Sequence, residues 1–321
     1  REKVTLRRLL THSAGLTVWG FPGYASDRTV PSVVDVLDGK GNTAAVVNDT
    51  IPGARWLYSG GGYTVAQLLT TGVTHQPFHT LMQRLVLDPA GMRRSTYENP
   101  LPASHSALAA SGHELIDTPV PGRFHTYPEM AAAGLWTTAS DLARWAIDLS
   151  RAYNGGKGVL SPTMARQMIQ KHQPTGPRGG NGYYGLGVGV GGEGDSISFS
   201  HGGRDEGFVA SFVMWPRLGK GFVILTNGVA GPFLNEVRRA FAESYGFGAA
   251  AQRPERQIVS LDSRALAAFA GAYESTSAGP ARTITITPGA GSLFAYNDFG
   301  KRAFTLWPLG DDRFFDPSLG A

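Results

Sequence analysis

Two apolar runs of strand length, Phe208–Trp215 and Gly221–Thr226, are joined by Pro216-Arg217-Leu218-Gly219-Lys220. A connection that short, carrying Pro and Gly, reverses the chain, so the two runs are predicted to pair as an antiparallel hairpin. Strand patterns also run through Gly185–Val190 and Ser196–Ser200, and Asn227-Gly228 supplies a further turn. Upstream the apolar period becomes that of helices. Thr5 can cap a helix with Leu6, Leu9 and Leu10 on its apolar face. The Pro- and Gly-rich loop Asn48–Gly62 leads into a helix predicted to turn Val65, Leu68 and Leu69 inward, and Phe78, Leu81, Met82, Leu85 and Val86 form the next helical face. Thr138 and Asp141 read as a capping box that opens a helix through Leu142, Trp145, Ala146 and Leu149. A last helix of this part is predicted with Phe233, Leu234, Val237, Ala240, Phe241 and Tyr245 on one side. Helices combined with a meandering antiparallel sheet define the α+β class.

At 321 residues the chain is long for a single core, so a main domain and a smaller one are expected. Gly246–Gln257 reads as the linker, dividing residues 1–250 from a small β unit at 258–321 that stops before any evident closure. That unit is predicted to hold a short helix at Ser263–Phe269 and strand fragments at Ile284–Ile286, Leu293–Tyr296, Phe304–Leu306 and Arg313–Phe315. Residues 99–134 read as loop. The net charge of +4 is spread without a run of Lys or Arg, so no nucleic-acid partner is expected. No apolar stretch approaches the roughly 20 residues needed to span a membrane. The lack of cysteine excludes disulfides, thiolate metal sites and a Cys nucleophile. His75 and His79 stand four apart without the Glu of H-E-x-x-H, so no metal site is expected, and no cofactor is implied.

Gly187-Val188-Gly189-Val190-Gly191-Gly192 matches G-x-G-x-x-G, but no helix pattern follows to hold a pyrophosphate, and it reads as a Gly-rich strand and turn. No G-x-S-x-G elbow and no phosphate-binding loop is present. Ser140-Asp141-Leu142 begins like an S-D-N element, for which a helix cap is a sufficient explanation. The sequence opens at Arg1-Glu2-Lys3 with neither an initiator methionine nor a signal peptide, and a truncated N-terminus is the expectation.

Two short elements remain. Tyr58-Ser59-Gly60 ends the loop before a helix, where a phenol can face a cleft. His201-Gly202-Gly203 heads the apolar hairpin, where a glycine pair lets a substrate backbone come close. Around them stand Val4-Thr5-Leu6-Arg7-Arg8-Leu9-Leu10-Thr11-His12-Ser13-Ala14-Gly15-Leu16, Leu87-Asp88-Pro89-Ala90-Gly91-Met92, Gly134-Leu135-Trp136-Thr137-Thr138-Ala139-Ser140-Asp141-Leu142-Ala143 and Leu225-Thr226-Asn227-Gly228. Taken in this order, the chain resembles the family of class C β-lactamases, D-alanyl-D-alanine carboxypeptidases and related esterases over nearly its whole length. From Leu261, with Ala268-Phe269-Ala270-Gly271-Ala272-Tyr273-Glu274, it resembles the small β-domain that follows some members.

The resemblance implies a β-lactamase/transpeptidase-like fold and acyl transfer through a serine ester, with a Ser-x-x-Lys nucleophile helix. It implies Tyr58 as general base and acid, His201-Gly202-Gly203 as the third motif, and the Arg204 N–H as one oxyanion donor. No serine in the sequence has Lys three residues later, so nucleophile and lysine are expected upstream of Arg1, and residues 1–321 alone are expected to be inactive. Gly60 stands where the family has the Asn of Tyr-x-Asn, and His201 where it has Lys; both favour esters or small D-amino-acid peptides and amides. The alternatives are a β-lactamase or carboxypeptidase proper, or a non-catalytic scaffold. His12, at a helix end, reads as a structural hydrogen-bonding residue. A periplasmic or secreted location is implied by resemblance alone, and oligomeric state is not legible.

Overall fold

The structure is a computed structural model that describes residues 2–115, 118–176, 182–228, 231–246, 256–274, 283–297 and 302–316. Contacts divide the chain into Arg1–Val229 and Ala230–Ala321. In the first unit six antiparallel strands form a meander in spatial order: β1 (Gln173–Pro174), β2 (Tyr183–Tyr184), β3 (Gly189–Gly191), β4 (Ser198–Asp205), β5 (Phe208–Trp215) and β6 (Lys220–Thr226). The expected hairpin is β5–β6, in register from Trp215↔Lys220 to Val209↔Thr226. Its turn depends on Gly219, whose φ of +62° lies in the left-handed region.

The helices of this unit include α1 (Leu6–Leu10), α2 (Gly60–Thr74), α3 (Phe78–Met82, continued by a π-helical turn Gln83–Leu87), α4 (Ala139–Tyr153) and α5 (Pro162–Met168). Helices α4 and α5 cover one face of the sheet. Ala146, Leu149, Ala152, Ala165 and Ile169 bury Val188, Val190, Phe199, Phe212 and Met214 in one core cluster. Trp145 meets Phe199 and Phe212 edge-on, with ring centroids 6.3 and 5.7 Å apart. Each fully buried side chain of this size contributes about 1.5–3 kcal/mol, so this layer holds the site strands in place.

Helix α4 starts as predicted, with Thr138 Oγ1 accepting from the Asp141 N–H at 3.2 Å. The reciprocal half of the capping box is not made. The buried Asp141 carboxylate instead accepts from the Arg94 N–H at 2.7 Å and the Ser95 hydroxyl at 3.0 Å, tying α4 to the chain before it. Thr138→Ala is expected to lower stability by about 1 kcal/mol through loss of the cap. The measurement is the urea midpoint at constant slope, and an unchanged midpoint would contradict it.

Several predicted faces differ from those observed. Leu9 alone of the α1 face is fully buried, and Leu6 lies exposed. In α2 the inner surface is Gly60, Gly61, Gly62, Thr64, Ala66 and Gln67, whereas Leu68 and Leu69 are exposed. The reason is close approach. A Cβ on Gly61 would sit 2.7 Å from Val46 Cγ2 and 2.8 Å from the Thr17 carbonyl oxygen, so small residues face inward where the chain crosses the helix start. Residues 99–134, expected as loop, include one-turn helices at Ala103–Ser106 and Met130–Ala133 and a short ribbon of His113–Leu115 with Thr118–Pro119.

The second unit begins with α6 (Gly231–Tyr245), in which Leu234 and Ala242 are buried while Phe233, Phe241 and Tyr245 of the predicted face are exposed. Contacts assign α6 here, whereas the linker read from the sequence, largely outside the described residues at 247–255, would divide the chain after it. Then come α7 (Ser263–Ala267) and a five-stranded antiparallel meander. Its strands are β7 (Gly271–Glu274), β8 (Thr283–Pro288), β9 (Leu293–Asn297), β10 (Arg302–Gly310) and β11 (Arg313–Phe315). Asp262 caps α7, accepting from the Ala265 N–H at 2.8 Å, and Leu266, Leu293 and Ala295 are buried. The predicted α+β class and C-terminal sheet are therefore both present.

Candidate active site

Tyr58 is the last residue before the N-cap of α2. Ser59 caps the helix, its hydroxyl accepting from the Gly62 N–H at 2.9 Å and donating to the Thr17 carbonyl at 2.7 Å. The start of α2 is also pinned by the Gly60 and Gly61 N–H groups, which donate to the Trp19 and Val18 carbonyls, each at 3.1 Å. Val18 takes φ +63°, and Trp19 projects with 70% of its surface exposed. Backbone strain of that kind costs of order 1–3 kcal/mol and persists only where surrounding bonds enforce it. Tyr58 is thus held on a fixed loop rather than a free one.

His201 ends the first half of β4. The ladder to β5 continues through Asp205↔Phe208, whereas the ladder to β3 ends at Gly189↔Ser200. Among the described residues, no strand pairs with the other edge of 201–205. Gly202, Gly203 and Arg204 are exposed along it. A Cβ added at Gly202 or Gly203 would meet nothing nearer than 3.7 or 3.5 Å, so the strand presents open backbone.

The fold brings these two segments together. The Tyr58 and His201 rings lie 6.3 Å apart, and Tyr184 of β2 stands 6.5 Å from Tyr58 and 6.2 Å from His201. Trp19, Trp56 and His12 complete an aromatic wall around Tyr58, with centroids at 5.6, 6.1 and 4.0 Å. Tyr184 and Trp19 were not singled out from the sequence. Strand β2 is two residues long, too short for any period, and an isolated Trp in a loop carries no signal of its own.

His201 Nδ1–H donates to the Gly202 carbonyl, and the Tyr184 hydroxyl donates to Nε2 at 2.9 Å. Both bonds suit a neutral imidazole, and burial holds the ring below its ordinary pKa. Burial raises the Tyr58 phenol above its ordinary 10, and no cation is among the groups acting on it. Burial also raises Tyr184, with Tyr63 and Tyr58 adding to the effect, so Tyr184 stays a donor. The arrangement therefore offers a protonated phenol, a neutral imidazole and a strand edge left open among the described residues. Among the described residues no group of three or more His, Cys, Asp or Glu could hold a metal ion. No helix among them is long and apolar enough to cross a membrane.

A family model described as Beta-lactamase matches residues 1–246. Comparison with the curated proteins gives no match. Among solved structures, the octameric penicillin-binding protein homologue from Pyrococcus abyssi aligns with a TM-score of 0.62 and 18% identity, covering 98% of this chain and 73% of its own. SurE in complex with D-Leu aligns with a TM-score of 0.56 and 22% identity, over 97% and 70% of the two chains. The D-amino acid amidase from Ochrobactrum anthropi SV3, complexed with L-phenylalanine amide, aligns with a TM-score of 0.55 and 21% identity over 70% and 64%. At these identities the structures establish a shared fold, and the family model establishes descent. The chain belongs to the Beta-lactamase family and, at the level of that family, to the serine hydrolases.

Proposed function

We propose that the protein hydrolyses esters or small D-amino-acid amides and peptides through an acyl-enzyme. Tyr58 is the proton-transfer residue, and the edge from His201 to Arg204 is the strand that receives substrate. The observation that carries this reading is the meeting of Tyr58 and His201 across 6.3 Å beside a strand edge that no strand among the described residues pairs. In the reaction Tyr58 acts as the phenolate that the lysine of Ser-x-x-Lys would favour. It takes the proton of the serine hydroxyl as the serine oxygen attacks the carbonyl, and the resulting phenol then returns that proton to the leaving group. The Arg204 N–H and the N–H of the nucleophile receive the oxyanion.

Neither serine that flanks Tyr58 or His12 has a free hydroxyl for this attack. Ser59 is committed to Gly62 and Thr17, and the Ser13 hydroxyl bonds Thr11 Oγ1 at 2.9 Å. No serine of the sequence has Lys three residues later. We therefore assign the nucleophile and its lysine to a Ser-x-x-Lys outside these 321 residues. Labelling the full-length protein with a fluorophosphonate and mapping the labelled peptide tests this. A label on any serine of residues 1–321 would overturn the assignment, and failure to label would favour a non-catalytic scaffold.

Two features support the substrate class. The D-amino acid amidase shares the fold. The place of an amide side chain after Tyr58 is taken by the chain itself: a Cβ on Gly60 would lie 3.1 Å from the Trp19 carbonyl oxygen and 3.2 Å from the Phe21 ring. With that amide absent and His201 neutral, a short-chain aryl ester is expected to give a higher kcat/KM than a cephalosporin in the full-length enzyme. Parallel assays decide it, and equal or better turnover of the cephalosporin would refute it.

A further inference from the structure

His12 grips both neighbours of Tyr58. Its carbonyl accepts from the Leu57 N–H at 2.7 Å, and its ring Nδ1 accepts from the Ser59 N–H at 3.1 Å. Between these two anchors lies Tyr58, whose ring meets the imidazole face with centroids 4.0 Å apart and planes 34° apart. One residue thus fixes the backbone before the tyrosine, the backbone after it and the plane of the phenol.

The chain is strained to place it there. His12 follows Thr11, the C-cap of α1, at a position where glycine is the usual occupant, and it takes φ +53°. That left-handed turn swings the ring inward, and only 2% of the residue is exposed. Accepting the Ser59 bond uses the Nδ1 lone pair, so the bonded ring is neutral with its proton on Nε2. Burial, reinforced by the like charge that His201 would carry, holds the imidazole down at about 3. The other titratable rings packed against it are Tyr58, Tyr63 and Tyr184. Tyr63 is occupied in donating to the Leu10 carbonyl at 2.9 Å.

We propose that His12 is the positioning residue of Tyr58, acting through the paired bonds to Leu57 and Ser59 and through ring contact. This rests on the reading of Tyr58 as the proton-transfer residue. Asparagine carries an acceptor on Cγ, as the imidazole carries Nδ1, and can keep the Ser59 bond. Leucine keeps volume and supplies no acceptor.

The experiment uses the full-length enzyme and an aryl ester, with His12→Leu and His12→Asn made alone and on Tyr58→Phe. His12→Leu is expected to lower kcat ten- to a hundredfold with KM changed less than about threefold, and His12→Asn to recover at least tenfold of a hundredfold loss. In the Tyr58→Phe background His12→Leu should cost less than about threefold more, because the residue it positions no longer transfers a proton. Equal losses in both backgrounds, or a folded His12→Leu at full kcat, would overturn the proposal. If His12→Leu does not fold, a folded His12→Asn with no recoverable activity overturns it as well. Should Tyr58→Phe alone retain its rate, the function reading fails. The Tyr58 ring resonances in tyrosine-labelled protein then still decide the clamp, which is refuted if His12→Asn and His12→Leu leave them unmoved.

Discussion

Tyr58→Phe is expected to slow acyl-enzyme formation by about 10²–10⁴, equivalent to roughly 3–5 kcal/mol in the barrier. The substitution removes one oxygen and leaves the ring against His12, Trp19, Trp56 and Tyr184. Folding stability should therefore change little, which separates chemistry from packing. Burial pushes the phenol above 10, so it needs a nearby cation in order to take a proton at neutral pH. None of the groups acting on Tyr58 supplies one, and in the proposed mechanism that charge is the lysine of Ser-x-x-Lys. Stopped-flow acylation with an aryl ester is the measurement. An unchanged rate of acyl-enzyme formation removes Tyr58 from the mechanism.

The parts of this site that were legible in the sequence are those with local chemical signals. Pro216 and Gly219 declare the hairpin, Thr138 declares a helix start, and Tyr58 and His201 stand in landmarks whose order identifies the family. Contacts that depend on tertiary approach were not legible. The inward face of α2 is glycine, threonine, alanine and glutamine because the 17–19 segment crosses it, and a reading that weighs only apolarity chooses Leu68 and Leu69 instead. The aromatic wall joins residues from four separate segments, at 12, 19, 56–58 and 184, and no spacing links them. From the sequence His12 reads as structural, and its bond to Ser59 is that; what the sequence does not show is that the bonded neighbours flank the candidate base.

Glu129 carries no signal in the sequence either, since it lies in the stretch 99–134 that reads as loop. It is fully buried, and neither carboxylate oxygen bonds another residue among those described. Gln67 fixes its backbone on both sides, donating to the Pro128 carbonyl and accepting from the Ala131 N–H, each at 2.9 Å. The groups that act on it or are acted on by it are Tyr24, Tyr127 and Asp205, none of them a cation. Burial raises Glu129 from 4.5 to about 7, opposed by its own backbone N–H, and burial with the Glu129 charge raises Asp205 to about 7. A carboxyl whose folded pKa lies above its unfolded value favours the folded state when protonated. Its contribution is complete below about 4.5 and is lost as pH rises to about 7, where for Glu129 the loss reaches about 3 kcal/mol at 1.36 kcal/mol per pKa unit. Glu129→Gln keeps the shape and cannot ionise. Urea unfolding of the full-length protein should show the wild type losing stability between pH 5 and pH 8 and the variant losing less. At pH 8 the variant should be the more stable by about 2–3 kcal/mol, near the full ionisation cost. A variant no more stable than wild type at pH 8 would mean that the Glu129 carboxylate has a compensating partner, and would place that partner outside the described residues.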